Sequence, residues 1–184
     1  VLVLPFYLTV SREGVERFLR AVFPAAMEDK VLQLYGRTKR KIGRWFQAQI
    51  VLSLIIGSVT FIGLRLLGVE QALVLGVIAG LFELVPIAGP IFAGALAIVV
   101  AATQSPTLAL WVLIFFVAIQ QLEGNLLVPL VMKKAIGIHP VIVLVALLGG
   151  AQIAGVVGML LAVPVAVFLQ EVAEDWKVSS RNAS

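Results

Sequence analysis

The sequence predicts an all-α, polytopic helical membrane protein with broken, re-entrant helical hairpins and cytoplasmic amphipathic helices, on three observations. The chain is 61% hydrophobic and only 13% charged, with a mean hydropathy of +1.08, where soluble domains carry about 25% charged residues. Its apolar runs are continuous and do not alternate over about ten positions as transmembrane strands would, so the spans are helices. Two runs of 32 residues, 72–103 and 138–169, are each interrupted near the middle by residues that break helices.

Residues 1–10 are expected to be the end of a preceding transmembrane helix, which makes the chain the C-terminal part of a longer protein. Residues 11–45 form the extended polar region and hold nine of the fourteen basic residues, Arg12, Arg17, Arg20, Lys30, Arg37, Lys39, Arg40, Lys41 and Arg44. Short basic segments beside spans stay in the cytoplasm, which sets the orientation. Val15, Phe18, Leu19 and Val22 recur at helical spacing, with Ser11 as cap and Pro24 as stop. Met27, Val31, Leu34, Thr38 and Trp45 form a second stripe. Both suit amphipathic helices on the inner membrane surface. The Arg37–Arg44 cluster is a topology signal, and no nucleic-acid partner is expected.

The transmembrane transport domain is placed at 46–170. Its first span, 46–67, has Arg65 as its only charge, near the far end, where it can snorkel to the headgroups. Ser53, Gly57 and Thr60 share one face and suit close packing against another helix. A tight turn, 68–71, leads into the first long run. As single helices the two 32-residue runs would measure about 48 Å against a hydrocarbon core of about 30 Å. The first breaks at Pro86-Ile87-Ala88-Gly89-Pro90, the second around Gly149, Gly150 and Gly155; Pro129 and Pro164 are further hinge candidates. Folding each run at its break places the segment 107–132 as a crossing from outside to inside. Lys133-Lys134 and the tail 171–184, with Lys177 and Arg181, then become cytoplasmic, as the positive-inside rule requires.

The stretch 120–140 interrupts apolar sequence with polar groups. Glu123, with Gln120, Gln121 and Asn125 around it, is the leading candidate for a substrate or ion pathway, because an intramembrane carboxylate must face protein or water. On one continuous helix these four would span about 200° of arc, so either Gly124 unwinds the helix or this end borders a hydrated cavity. A structural role, tying the hairpin breaks together, stands beside the functional one. Glu83 ends a face made by Gly76, Ala79 and Gly80, three residues before Pro86; it can bind a proton or cation, or accept hydrogen bonds from the opening turn at 89–92. His139, before Pro140, suits a surface or capping role better than a proton relay. One histidine and no cysteine exclude a His-Glu-x-x-His metalloprotease and a thiolate metal site. No Gly-x-Ser-x-Gly elbow or potassium-filter motif occurs. No enzyme activity, cofactor or metal is expected, and a scaffold or passive pore remains the alternative of another class.

Six motifs in order, Glu83-Leu-Val-Pro-Ile-Ala-Gly-Pro90, Gln120-Gln-Leu-Glu-Gly-Asn-Leu-Leu-Val-Pro129, Gly137-Ile-His-Pro140, Leu148-Gly-Gly150, Gly155-Val-Val-Gly158 and Leu161-Ala-Val-Pro164, resemble the signatures of the autoinducer-2 exporter (AI-2E) family of bacterial transporters over residues 10–170. Lys133-Lys134 departs from the glycine and single basic residue of many relatives. The resemblance implies a bacterial inner-membrane protein of about twice this length and a homo-oligomer, taken as a pentamer. It also implies export of a small polar solute such as autoinducer-2, with a proton or sodium as coupling ion; some relatives are regarded as sodium/proton antiporters.

Overall fold

The computed structural model describes residues 14–128, 130 and 140–181. The expectations for residues 1–10, Ser11, Pro129, Lys133-Lys134 and His139 lie outside them. The described residues are helical, with no strand among them, in the order α1 (Gly14–Val22), α2 (Ala25–Leu66), α3 (Ala72–Phe82), α4 (Ala88–Gln104), α5 (Pro106–Leu122), a π turn (Glu123–Leu127) and α6 (Pro140–Arg181). They divide into two compact units, one of residues 42–166 and one of the residues up to Lys41 with those from Val167 onward.

The unit 42–166 is turned inside out relative to a soluble domain. Leu54, Leu66, Leu73, Leu110, Leu148 and Ile153 are exposed, while its buried positions include Ala72, Ala79, Ala93, Ala97 and Ala101. Lipid tails remove the penalty on exposed leucine, and helix contact then rests on small residues that let backbones approach. Gly57, Gly76 and Gly80 do this between α2 and α3. A methyl added at Gly57 would lie 3.0 Å from the Gly76 carbonyl oxygen and 3.2 Å from the Gly80 Cα. Both faces expected from the sequence therefore exist, and they are each other's partner.

α2 ends in a Schellman motif. Gly68 takes φ +85, the Val69 N–H reaches the Leu64 carbonyl at 2.9 Å and the Gly68 N–H reaches that of Arg65 at 3.2 Å. Buried Val69 covers buried Leu64, the apolar contact that accompanies this cap. α2 also runs without a break through residues 45 and 46, where a surface helix and a span were expected to meet; no proline intervenes there to stop it.

Both long apolar runs are folded. α3 and α4 are separated by residues 83–87 and pack on each other through Ala72, Leu75 and Ala79 against Ala93, Ala97 and Ala101. Pro86 lies in the break, whereas Gly89 and Pro90 already belong to the first turn of α4, where a missing N–H breaks no helical bond. α6 departs from helical geometry at Ala154 (φ −141, ψ 21) and Gly155 (φ 57, ψ −133). In a straight helix Gly150 and Gly158 would be about 12 Å apart along the axis. Here a methyl on Gly150 would lie 2.4 Å from the Gly158 carbonyl oxygen, so the chain has reversed. Gly149 and Gly150 lie in the first arm, and Pro164 sits inside the second arm, where the helix continues through it. α5 starts one residue after α4 because Ser105 caps it: its Oγ accepts from the Leu108 N–H at 3.0 Å, with Pro106 in the first turn.

In the other unit, α1 leaves Phe18 and Val22 exposed, the uncovered apolar face of an interfacial helix. Residues 30–41 of α2 run beside the end of α6 through ion pairs. Arg37 Nη2 meets Asp175 Oδ1 at 2.6 Å and Arg37 Nε meets Glu171 Oε2 at 3.5 Å, Lys41 Nζ pairs with Glu171 Oε1, and Lys30 reaches Asp175 at 3.7 Å. Glu171 is buried and flanked by two cations.

Candidate functional site

The face that joins α2 to α3 ends in polar groups. Ser53 lies opposite Gly80, and a methyl on Gly80 would sit 2.9 Å from the Ser53 carbonyl oxygen. One turn further along both helices, Gln49 meets Glu83, where its Nε2 donates to the Glu83 backbone carbonyl. That carbonyl is free to accept because α3 stops at Phe82 and no helical N–H follows it. Gln49 and Glu83 are each 1% exposed.

Glu123 reaches the same place from α5. It is 9% exposed and opens the π turn, in which the Val128 N–H bonds to the Glu123 carbonyl, five residues back. The extra residue per turn shifts the face that follows it; such turns cluster at functional positions. Gly124 lies within this turn. The carboxyl groups of Glu83 and Glu123 are neighbours, close enough for each to feel the other's charge. Two carboxyl groups this close inside an apolar body cannot both stay ionised without a proton or a cation to offset their charge. The structure thus joins the two acids singled out in the sequence. It does not bring Gln120, Gln121 and Asn125 into this contact: all three are exposed.

The break beneath Glu83 is conformationally unusual. The Ala88 N–H bonds to the Pro86 carbonyl at 2.8 Å, closing a γ-turn around Ile87 at φ 70, ψ −54. A β-branched residue pays for this conformation in strain. Gln49 is the member of the site that sequence reasoning missed. Its signal was present, since extending the stripe of Ser53, Gly57 and Thr60 one turn upstream lands on it. A groove of about 420 Å³ between α2 and α3 is lined largely by Ile50, Leu54, Phe61, Leu73 and Val77; it offers lipid-like surface and little for a polar solute to bind.

Comparison with known proteins supplies the family. The AI-2E family transporter model matches residues 1–178. Three relatives bear names beginning "Putative transport protein". YueF of Bacillus subtilis (strain 168) is 33% identical over 168 residues, covering 90% of this chain and 46% of the relative. YrrI of the same strain is 30% identical over 167 residues, covering 91% and 47%. MT0215 of Mycobacterium tuberculosis (strain CDC 1551 / Oshkosh) is 33% identical over 170 residues, covering 92% and 46%. The chain spans about half the length of these curated relatives, and no solved structure matches it. With the family model matched over nearly the whole chain, and with long apolar helices that suit several membrane crossings, this multi-pass membrane protein belongs to the AI-2E transporter family.

Proposed function

We propose that this chain forms part of an ion-coupled exporter of a small polar solute, autoinducer-2 or a related metabolite, in the bacterial inner membrane. In this reading residues 11–45 and the C-terminus are cytoplasmic and the protein works as a homo-oligomer. The observation that carries it is the meeting of Glu83 and Glu123 inside an otherwise apolar body, each beside an interruption of its helix. Carboxyl groups kept at membrane depth are expensive and mark ion and substrate pathways, and interrupted helices are where transporters place such sites. Exchange of the proton within the pair is the coupling event, and the exposed Gln120, Gln121 and Asn125 supply polar surface beside it.

Counterflow in proteoliposomes under separately imposed proton and sodium gradients tests the proposal. A carrier shows accelerated exchange of labelled autoinducer-2, a pore shows passive flux without it, and a scaffold shows neither. Glu123→Gln should keep folding and oligomerisation and abolish coupled transport, whereas Arg65→Gln should do little. Normal transport with a normal pH profile in Glu123→Gln refutes the reading. Sodium/proton exchange with no organic solute is the alternative served by the same carboxyl pair; it predicts counterflow of sodium alone.

A further inference from the structure

We propose that the groove between α2 and α3 is a binding site for one anionic phospholipid, phosphatidylglycerol in its simplest form, with an acyl chain along the groove and the phosphate on Arg65. Neither Glu83 nor Glu123 takes part. The groove holds about 420 Å³. It follows α2 from Ile50 to Phe61 and α3 from Leu73 to Leu84, eleven residues along each helix. Gly57, Gly76 and Gly80 form its floor, and Leu54 and Val77 stand exposed at its walls. Ser53 and Ser58 are the only polar side chains lining it among the described residues, so water inside would find few partners. Left open, the lining forfeits dispersion contacts that a hydrocarbon chain restores.

The dimensions select a hydrocarbon chain over a helix. Eleven residues rise about 16 Å. Over that length 420 Å³ gives a section of about 25 Å², against roughly 80–110 Å² for a helix about 10–12 Å across. One extended chain fits that section. A helix from a second copy would bridge the rim and leave the floor empty.

Charge places the headgroup. Arg65 is the one cation between Arg44 and Lys133. Around the α2 axis it falls between Phe61 and Ser58, on the arc that the lining residues occupy, one turn beyond the end of the groove. It is exposed and enters no ion pair among the described residues; Glu70, in the following turn, is exposed as well. Arg65 and Ile50 are fifteen residues apart, about 22 Å along the helix, and half a bilayer with its headgroups measures about 20–22 Å. A lipid with its phosphate at Arg65 therefore ends its chain near Ile50 and Leu84. The guanidinium can hold a phosphate through two parallel N–H···O bonds. A headgroup with a single negative charge neutralises it, whereas an ethanolamine headgroup brings its own ammonium to the same place.

The test is native mass spectrometry of the full chain, delipidated in detergent and titrated separately with phosphatidylglycerol, phosphatidylethanolamine and phosphatidylcholine. Each copy should retain one phosphatidylglycerol, with a half-saturating concentration at least tenfold below that of either zwitterionic lipid. Arg65→Gln should erase that preference, and Val77→Trp, which fills the groove from its wall, should weaken retention tenfold or more. If Val77→Trp does not fold, Arg65→Gln and the wild-type series decide. Phosphatidylglycerol with a photoreactive diazirine at its acyl terminus should label the peptides around Ile50 and Leu84 in preference to those around Leu110 and Leu148, which are also exposed. Equal retention of the three lipids, a wild-type preference in Arg65→Gln, or labels spread evenly over Leu110 and Leu148 overturns the site. So does a disulfide between copies formed through Leu54→Cys, which seats a second copy on the groove.

Discussion

Gly149 and Gly150 are adjacent in the first arm of α6, yet a methyl group should have opposite effects at the two. At Gly149 the new Cβ meets nothing within 4 Å, so Gly149→Ala restricts the unfolded chain and improves helix propensity, a gain of about 0.5–1 kcal/mol. At Gly158, across the hairpin, a Cβ would fall 1.9 Å from the Gly150 carbonyl oxygen, and at Gly150 it would fall 2.4 Å from that of Gly158. Relief at Gly158 requires the arms to part by about 1 Å, a gap that forfeits a quarter to a half of each dispersion contact it opens. Overpacking of this kind costs about 1–3 kcal/mol, so Gly149→Ala and Gly158→Ala should differ by roughly 1.5–4 kcal/mol. Equilibrium unfolding in mixed micelles, read by tryptophan fluorescence, measures the difference. Equal stabilities for Gly149→Ala, Gly150→Ala and Gly158→Ala would show that the arms do not touch and that α6 is not a hairpin.

Removing both cations beside buried Glu171, as Arg37→Met with Lys41→Met, should cost roughly 1–3 kcal/mol given their partial exposure. Adding Glu171→Gln should restore most of it in the same unfolding assay. Ser105→Ala deletes the N-cap of α5 and should cost about 1 kcal/mol, while Ser105→Asp should retain stability. Single cysteines at Ala88 and Gln152, introduced into a chain without native cysteine, should label far more slowly with a membrane-impermeant maleimide than a cysteine at Gln33; equal rates would make both breaks ordinary exposed loops.

Sequence patterns carried the fold where local chemistry was decisive. Pro86 marked the first break because a second proline and a glycine follow it within four residues, a run that disfavours a continuous helix, and the small residues at 53, 57, 76 and 80 marked two faces whose pairing the sequence does not report. The exact reversal point of α6 was less legible. Gly149, Gly150, Gly155 and Gly158 all permit close approach or unusual dihedrals, and only the folded backbone assigns Gly155 to the turn and Gly150 with Gly158 to the crossing. Glu83 and Glu123 were visible individually as charges in apolar sequence, but forty residues separate them and no periodicity reports a contact of that range. Gln49 was obscured by its place in the opening turn of the first span, just past the polar region 11–45, where a glutamine draws little attention. The continuity of α2 was missed because a change from polar to apolar composition suggests a boundary, whereas the backbone follows only helix-compatible residues across it.

The γ-turn at Ile87 gives the first hairpin an energetic character that its apolar arms lack. Backbone strain of this kind amounts to about 1–3 kcal/mol, which corresponds to roughly a five- to 150-fold bias in a two-state equilibrium. The tip is therefore a spring held shut by its surroundings, with Pro86 behind it and the Gln49 amide clasping the Glu83 carbonyl four residues upstream. A ligand that favours the relaxed tip by that same small margin is enough to release it, and Ile87→Gly, which removes the steric cause of the strain, would slacken the spring without touching a single polar group.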